Sequence, residues 1–160
     1  MPLVTATVSP EPITLDLLAA AVDSPHHGAI TTFVGQVRDH DETAAGEVVR
    51  LEYSAHPEAG PLLGRVVDEA LATADPDGAA RVAVAHRTGS LEVGEIALLV
   101  CVGSAHRDLA FVVCREVVEA VKRDLPVWKK QHESDGRHAW SGLDPVDGAA
   151  RQPGEPGTDP

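Results

Sequence analysis

The segment Glu95–Lys130, EIALLVCVGSAHRDLAFVVCREVVEAVKRDLPVWKK, changes its hydrophobic period, and the fold turns on where it does so. Ile96 to Ser104 is an unbroken run of apolar and small residues, the pattern of a strand covered on both faces. After Ser104 the spacing becomes helical, with Leu109, Val112, Val113, Val117, Ala120 and Val121 on one face. Pro126 ends that helix, because it has no N–H to donate and its ring crowds the preceding turn. The segment therefore predicts a buried strand feeding directly into an amphipathic helix.

Upstream, Arg81–Arg87 (RVAVAHR) alternates like a strand, and TGSLEVGE (88–95) reads as the turn that follows it. Val48–Ala55 alternates Val49, Leu51 and Tyr53 against Arg50 and Glu52, a half-buried strand. Between them Leu62, Leu63, Val66, Val67, Ala70 and Leu71 form a helical stripe that ends at DPDG (75–78). AITTFVGQV (29–37) reads as a β-branched strand, RDHDETAAGE (38–47) as a polar loop. Thr14 is placed to cap a short helix through LDLLAAAV, stopped at Ser24–Pro25. The order helix, strand, strand, helix, strand, strand, helix predicts an α+β fold, a mixed sheet covered by helices. Residues 1–141 make one domain, while 142–160, with eight Gly or Pro in nineteen positions, reads as a disordered acidic tail.

A chain of 160 residues can bury one proper core, and with 43% hydrophobic but 3% aromatic residues that core must be Val, Leu, Ile and Ala. The net charge of −12 argues against broad nucleic-acid or anionic-membrane binding, which depends on neutralising phosphates. The charge is uneven, however: residues 1–100 carry five Arg against fifteen Asp and Glu, whereas 101–140 carry seven Lys and Arg against six. A locally basic segment in an acidic chain suggests a pocket for a small anion. The N-terminus shows no secretory signal and the longest apolar run is too short for a bilayer, so a cytoplasmic location is expected. Cys101 and Cys114 lie in apolar runs without a CxxC pattern and read as buried thiols. The eight histidines form no HExxH or Cys/His quartet, so no metal or cofactor is expected.

Two features carry chemistry. SAHRD (104–108) sits at the strand-to-helix corner, where free N–H groups and the helix dipole, with His106 and Arg107, can receive an anion. Taken alone, that corner is better explained by Ser104 as a cap and Arg107 as a solvated charge. The lysines are more telling. All three, Lys122, Lys129 and Lys130, fall within VKRDLPVWKK (121–130), and arginine serves at every other basic position. A lysine can exchange a proton, which an arginine does not do at accessible pH. The plainer reading, a helix-end charge and two solubilising lysines, leaves that choice unexplained. Arg38, at the end of the first strand read, is a further anion contact or a solvated edge charge.

FVGQVRDH (33–40), HRTGSLEVGE (86–95), VGSAHRDLAF (102–111) and VKRDLPVWKKQ (121–131) resemble, in order and spacing, the large catalytic subunit of molybdopterin synthase, the MoaE family. The resemblance spans roughly residues 10–141. It implies an α/β hammerhead fold and a homodimer forming the core of a heterotetramer, with a small ubiquitin-like sulfur carrier at each end. The carrier's C-terminal Gly-Gly would bear a thiocarboxylate, and the substrate would be cyclic pyranopterin monophosphate. The reaction implied is sulfur transfer that builds the dithiolene of molybdopterin. Matched position by position, Lys122 and Lys129 are the expected catalytic residues. Gln36, Val37, Arg38, His106, Arg107, Lys122, Lys129, Lys130 and Gln131 are the expected substrate contacts. Gln36 and Gln131 depart from the family pattern, where many relatives carry Lys and Glu. Two rival readings remain at this level: an enzyme for another phosphorylated heterocycle or acyl donor, and a non-catalytic subunit that only holds a ubiquitin-like partner.

Overall fold

Strand β6 (Ile96–Ser104) is the spine of the molecule, and from Ala97 to Ser104 every residue is buried. The structure is a computed structural model that describes residues 2–42 and 44–141; the expected tail at 142–160 lies outside the described residues. β6 pairs antiparallel with β2 (Ala29–Gln36) on one side and with β4 (Arg81–Arg87) on the other. β1 (Leu3–Ser9) joins β4 in parallel, giving a mixed four-stranded sheet in the order β1-β4-β6-β2.

Both faces of this sheet are covered, which is why β6 reads as continuously apolar. On one face α2 (Ala59–Ala74) and α3 (Arg107–Asp124) press Leu63, Val67, Val113, Val117 and Val121 onto Val82, Val84, Leu98, Val100 and Val102. On the other, the short α1 (Leu15–Val22) places Val22 and Leu18 over Ala83, Leu99 and Cys101. Thr14 is the N-cap of α1, as its position suggested, although its side chain makes no capping bond.

A second, wholly antiparallel sheet stands beside the first, in the order β5-β3-β7-β8. It comprises β3 (Val48–Ala55), β5 (Gly89–Glu92), β7 (Val127–Glu133) and β8 (His138–Ser141). The expected α+β class is what the chain adopts, but with two sheets. β5 occupies the run read as a turn, and β1, β7 and β8 add strands that the hydrophobic pattern did not announce. On the inner face of the second sheet, Val37, Val48, Leu51, Leu91 and Ala97 form a small core of their own.

Gly103 marks the tightest point of the layering. A Cβ built there would collide with the Val22 carbonyl and the His27 ring, where His27 Nδ1 lies 2.9 Å from that carbonyl and donates to it. Gly103→Ala should therefore push α1 off the sheet, costing about 1–3 kcal/mol in the manner of an overpacked core. Thermal unfolding should show a fall of several degrees; an unchanged midpoint would mean that α1 yields freely.

Candidate functional site

The site forms where α3 ends and β7 begins. Lys122 lies in the last turn of α3, and the chain reverses at Leu125–Pro126 before Lys129 appears on β7. The reversal is held by Leu125 N–H to the Val121 carbonyl (3.0 Å), Val127 N–H to the Leu125 carbonyl (2.8 Å) and His56 N–H to the Pro126 carbonyl (3.2 Å). Two lysines seven residues apart thereby face one another from a helix and a strand.

Between them lie two adjoining cavities of about 190 and 360 Å³ that share Tyr53, Lys122 and Lys129 as walls. The smaller also touches His86, Leu98 and Val127. The larger opens toward Gln36, Arg38, His40 and Asp41. Register explains the set: Tyr53 pairs with Lys129, so both side chains leave the second sheet on its inner face. Lys129 Nζ donates to Asp41 Oδ2 at 2.8 Å, which ties the loop after β2 across the mouth of the cleft.

The electrostatics favour an anion. Arg38, Lys122 and Lys129 converge on the larger cavity, and among the described residues that line it Asp41 is the one carboxylate. Burial raises the Tyr53 phenol above its ordinary range, and nearby Asp41 pushes it the same way, so it stays protonated. Burial lowers His86, partly offset by its bond to the Arg87 carbonyl, and Lys122 lowers it further. His86 is therefore a neutral imidazole at neutral pH. Its ring stands edge-on to Tyr53, with centroids 5.5 Å apart. The two thiols take no part: both are buried, and burial pushes each to about 11.

Of the expected contacts, the structure brings Gln36, Arg38, Lys122 and Lys129 to this cleft. Gln36 is held there by Nε2–H to the Gly94 carbonyl at 3.1 Å. Val37 is buried in the small core, its N–H and carbonyl both used by the Gly94–Glu95 turn. Gln131 shares the inner face with Lys129 but is fully buried. Lys130 points the other way: on the outer face of the second sheet its Nζ lies 5.5 Å from the Trp140 ring centroid. His106 and Arg107 are exposed at the opposite end of α3. Fifteen residues separate Arg107 from Lys122, about 22 Å at a helix rise of 1.5 Å. Tyr53, His86 and Asp41 were not singled out from sequence; the one available signal was their place in quoted runs, since Tyr53 is the only tyrosine and His86 opens HRTGSLEVGE.

The fold and cleft define an α+β domain with a cation-lined pocket. The family model described as MoaE protein matches residues 8–124, and the chain belongs to the MoaE family. It is 39% identical over 133 residues to molybdopterin synthase catalytic subunit 1 of Mycobacterium tuberculosis, covering 82% of this chain and 86% of that one. It is 36% identical over 146 residues to the molybdopterin synthase catalytic subunit of Nostoc sp., covering 90% and 83%. Among solved structures, molybdopterin synthase from Staphylococcus aureus superposes with a TM-score of 0.76 at 30% identity, covering 86% of this chain and 96% of that one. The complex of subunits 1 and 2 of molybdopterin-converting factor from Helicobacter pylori shares the fold, with a TM-score of 0.55 at 20% identity over 76% of this chain and 74% of that one. These relationships place the chain among the enzymes of molybdopterin synthesis.

The Lys129–Asp41 pair generates a test of the loop. A half-buried ion pair of this kind is worth up to about 1 kcal/mol. Asp41→Asn should thus speed amide exchange across residues 38–47 by roughly two- to fivefold, with β6 unaffected. Unaltered exchange in that loop would mean that its other contacts hold it.

Proposed function

We propose that this chain is the sulfur-transferring subunit of a molybdopterin synthase. In this reading sulfur passes from the C-terminal thiocarboxylate of a small ubiquitin-like carrier to cyclic pyranopterin monophosphate, and two carriers supply the two dithiolene sulfurs. The observation that carries the reading is the convergence of Lys122, Lys129 and Arg38 on one cleft that holds no usable thiol. Such a site can bind a phosphate and a thiocarboxylate together, but the sulfur must arrive on a partner. The Mycobacterium, Nostoc and Staphylococcus relatives, named for molybdopterin synthase, support the same assignment.

Within the cleft the roles divide by chemistry. Arg38 supplies a permanent, planar cation suited to phosphate oxygens. Lys129, released from Asp41 as an anion enters, would follow the substrate. Lys122 lines both cavities, and from there it would reach both an entering thiocarboxylate and the pterin carbon that accepts sulfur. A lysine there can give a proton as well as a charge.

His106 and Arg107 fit this reading only in an assembly, because one protomer holds them far from Lys122. The surface beside them is suited to a second copy. β2 is an edge strand whose Ile30 and Val34 are exposed, and the first turns of α3 expose Phe111 and Val112. A homodimer across this face would cover the apolar patch and carry the His106–Arg107 corner toward the partner's cleft. Docking of a carrier on each protomer would complete a heterotetramer.

Two experiments test these assignments. In single-turnover conversion of the pterin precursor with thiocarboxylated carrier, Lys122→Arg should lose about 10²–10⁴ in rate, nearly as much as Lys122→Ala. Near-normal turnover in Lys122→Arg, with carrier still docking, would leave Lys122 as a charge clamp. Separately, Lys122→Ala and Arg107→Ala subunits, each weak alone, should regain activity when mixed and re-equilibrated, because one intact composite site forms per mixed dimer. No recovery in dimers shown to be mixed would place Arg107 outside the substrate site.

A further inference from the structure

His86 is the buried titratable group of the cleft that the sulfur-transfer reading leaves without work. It sits near the end of β4 with 9% of its surface exposed and forms part of the wall of the smaller cavity. Its Nδ1 lies 2.9 Å from the Arg87 carbonyl. A carbonyl only accepts, so Nδ1 carries the proton and Nε2 is left as a bare acceptor.

The acceptor carbonyl is itself fixed. Arg87 Nε donates to the Pro10 carbonyl at 3.2 Å, and its guanidinium pairs with Glu95 Oε1 at 2.8 Å. Glu95 Oε2 in turn accepts the Glu92 N–H at 2.7 Å. The turn that allows this uses Gly89 and Gly94 at φ of 86° and 90°. The run HRTGSLEVGE thus closes into a clamp, and what it holds still is the His86 ring. Tyr53 from β3 abuts that ring edge-on. The charged groups facing the same cavity are Lys122 from α3 and Lys129 from β7, the latter paired with Asp41 of the loop after β2.

We propose that His86 is a positioning residue for Lys122, its Nε2 accepting a hydrogen bond from the lysine so that Nζ stays aimed into the cleft as the anionic substrate enters. This rests on the sulfur-transfer reading of the cleft. A neutral imidazole suits the role, since a protonated one would repel the ammonium. Burial and Lys122 both keep His86 neutral.

The test uses His86→Asn, which retains an N–H for the Arg87 carbonyl but loses the distal acceptor, and His86→Gln, which places an oxygen near the position of Nε2. Single-turnover sulfur transfer should slow by about ten- to a hundredfold in His86→Asn, the loss expected of a hydrogen bond to a charged group, with pterin affinity little changed. His86→Gln should recover most of that rate. The wild-type rate should fall on acidification below the ordinary histidine value of about 6.5, and His86→Gln should lack this limb. A second readout needs no turnover. Reductive ¹³C-methylation labels the three lysines and the N-terminal amine, and the Lys122 signal, assigned through Lys122→Arg, should inflect with the same acidic midpoint in wild type and not in His86→Gln. Wild-type protein that makes no product would overturn the sulfur-transfer reading while this signal still decides the contact. Equal losses in both folded variants with an unchanged acid limb, or a Lys122 signal blind to His86, would show that His86 only fills space. Should His86→Asn fail to fold, His86→Gln and the lysine signal decide the matter.

Discussion

The cleft depends on one reversal of the chain, at Leu125–Pro126. Proline cannot continue α3, and the residue before it is pushed to extended backbone; Leu125 has φ −79° and ψ 121°. The chain therefore leaves the first layer at a fixed point and enters the second sheet at once. Leu125 is buried in the main core, so the pivot is anchored from beneath. Because α3 is held along its length by β6 and α2, and β7 by β3 and β8, the backbone that carries each lysine cannot move far without disturbing a whole layer, and only the side chains are left to adjust. The site is thus set by rigid elements, with the loop after β2 as its adjustable side.

That arrangement resolves the contrast between an acidic protein and an anion-binding cleft. Most carboxylates lie on outward surfaces, where water screens them. Those near the cleft are already engaged: Asp41 with Lys129, and Glu95 with Arg87. The positive charges of the cleft are fewer, but Arg38, Lys122 and Lys129 line one small cavity, so an anion that enters it meets all three at short range. An excess of negative charge elsewhere also discourages larger polyanions from competing for the pocket.

Much of this was legible in the residues. α2, α3, β3 and β4 follow from periodicity, β6 from its unbroken apolar run, β2 from its β-branched residues, and α1 from the Thr14 cap and the stop at Ser24–Pro25. The remaining strands were hidden for specific reasons. β7 reads VWKKQHE, and its inner positions serve a polar cleft where a core strand would carry Val or Ile. β5 and β8 have four residues each, too few to show a period. β1 alternates, but its parallel partner β4 lies more than seventy residues away, and such pairing leaves no local mark. The clustering of lysine pointed to Lys122 and Lys129. Lys130 looked equivalent only because sequence adjacency hides the alternation of a strand. The separation of Arg107 from Lys122 follows from helix length alone, once both are known to lie on α3. Tyr53 and His86 could not be chosen, since an aromatic residue on an inner face is most often core, and only the meeting of two sheets puts these at a cavity.

The alternation within β7 has an implication for how this part of the chain can change in length. Inner and outer positions trade places with every residue, so the segment after Pro126 is a ruler as well as a list of side chains. Adding a single residue just before Trp128 would swing the indole into the cleft and turn Lys129 out beside Trp140. It would also carry His132 into the buried slot that Glu133 now fills. Every residue needed for the chemistry would still be present, in the same order, and the pocket would be gone. A substitution in this strand therefore changes one side chain and leaves the others facing as they did, whereas insertions and deletions keep that pattern only in pairs or beyond Glu133, in the 134–137 turn outside the strand.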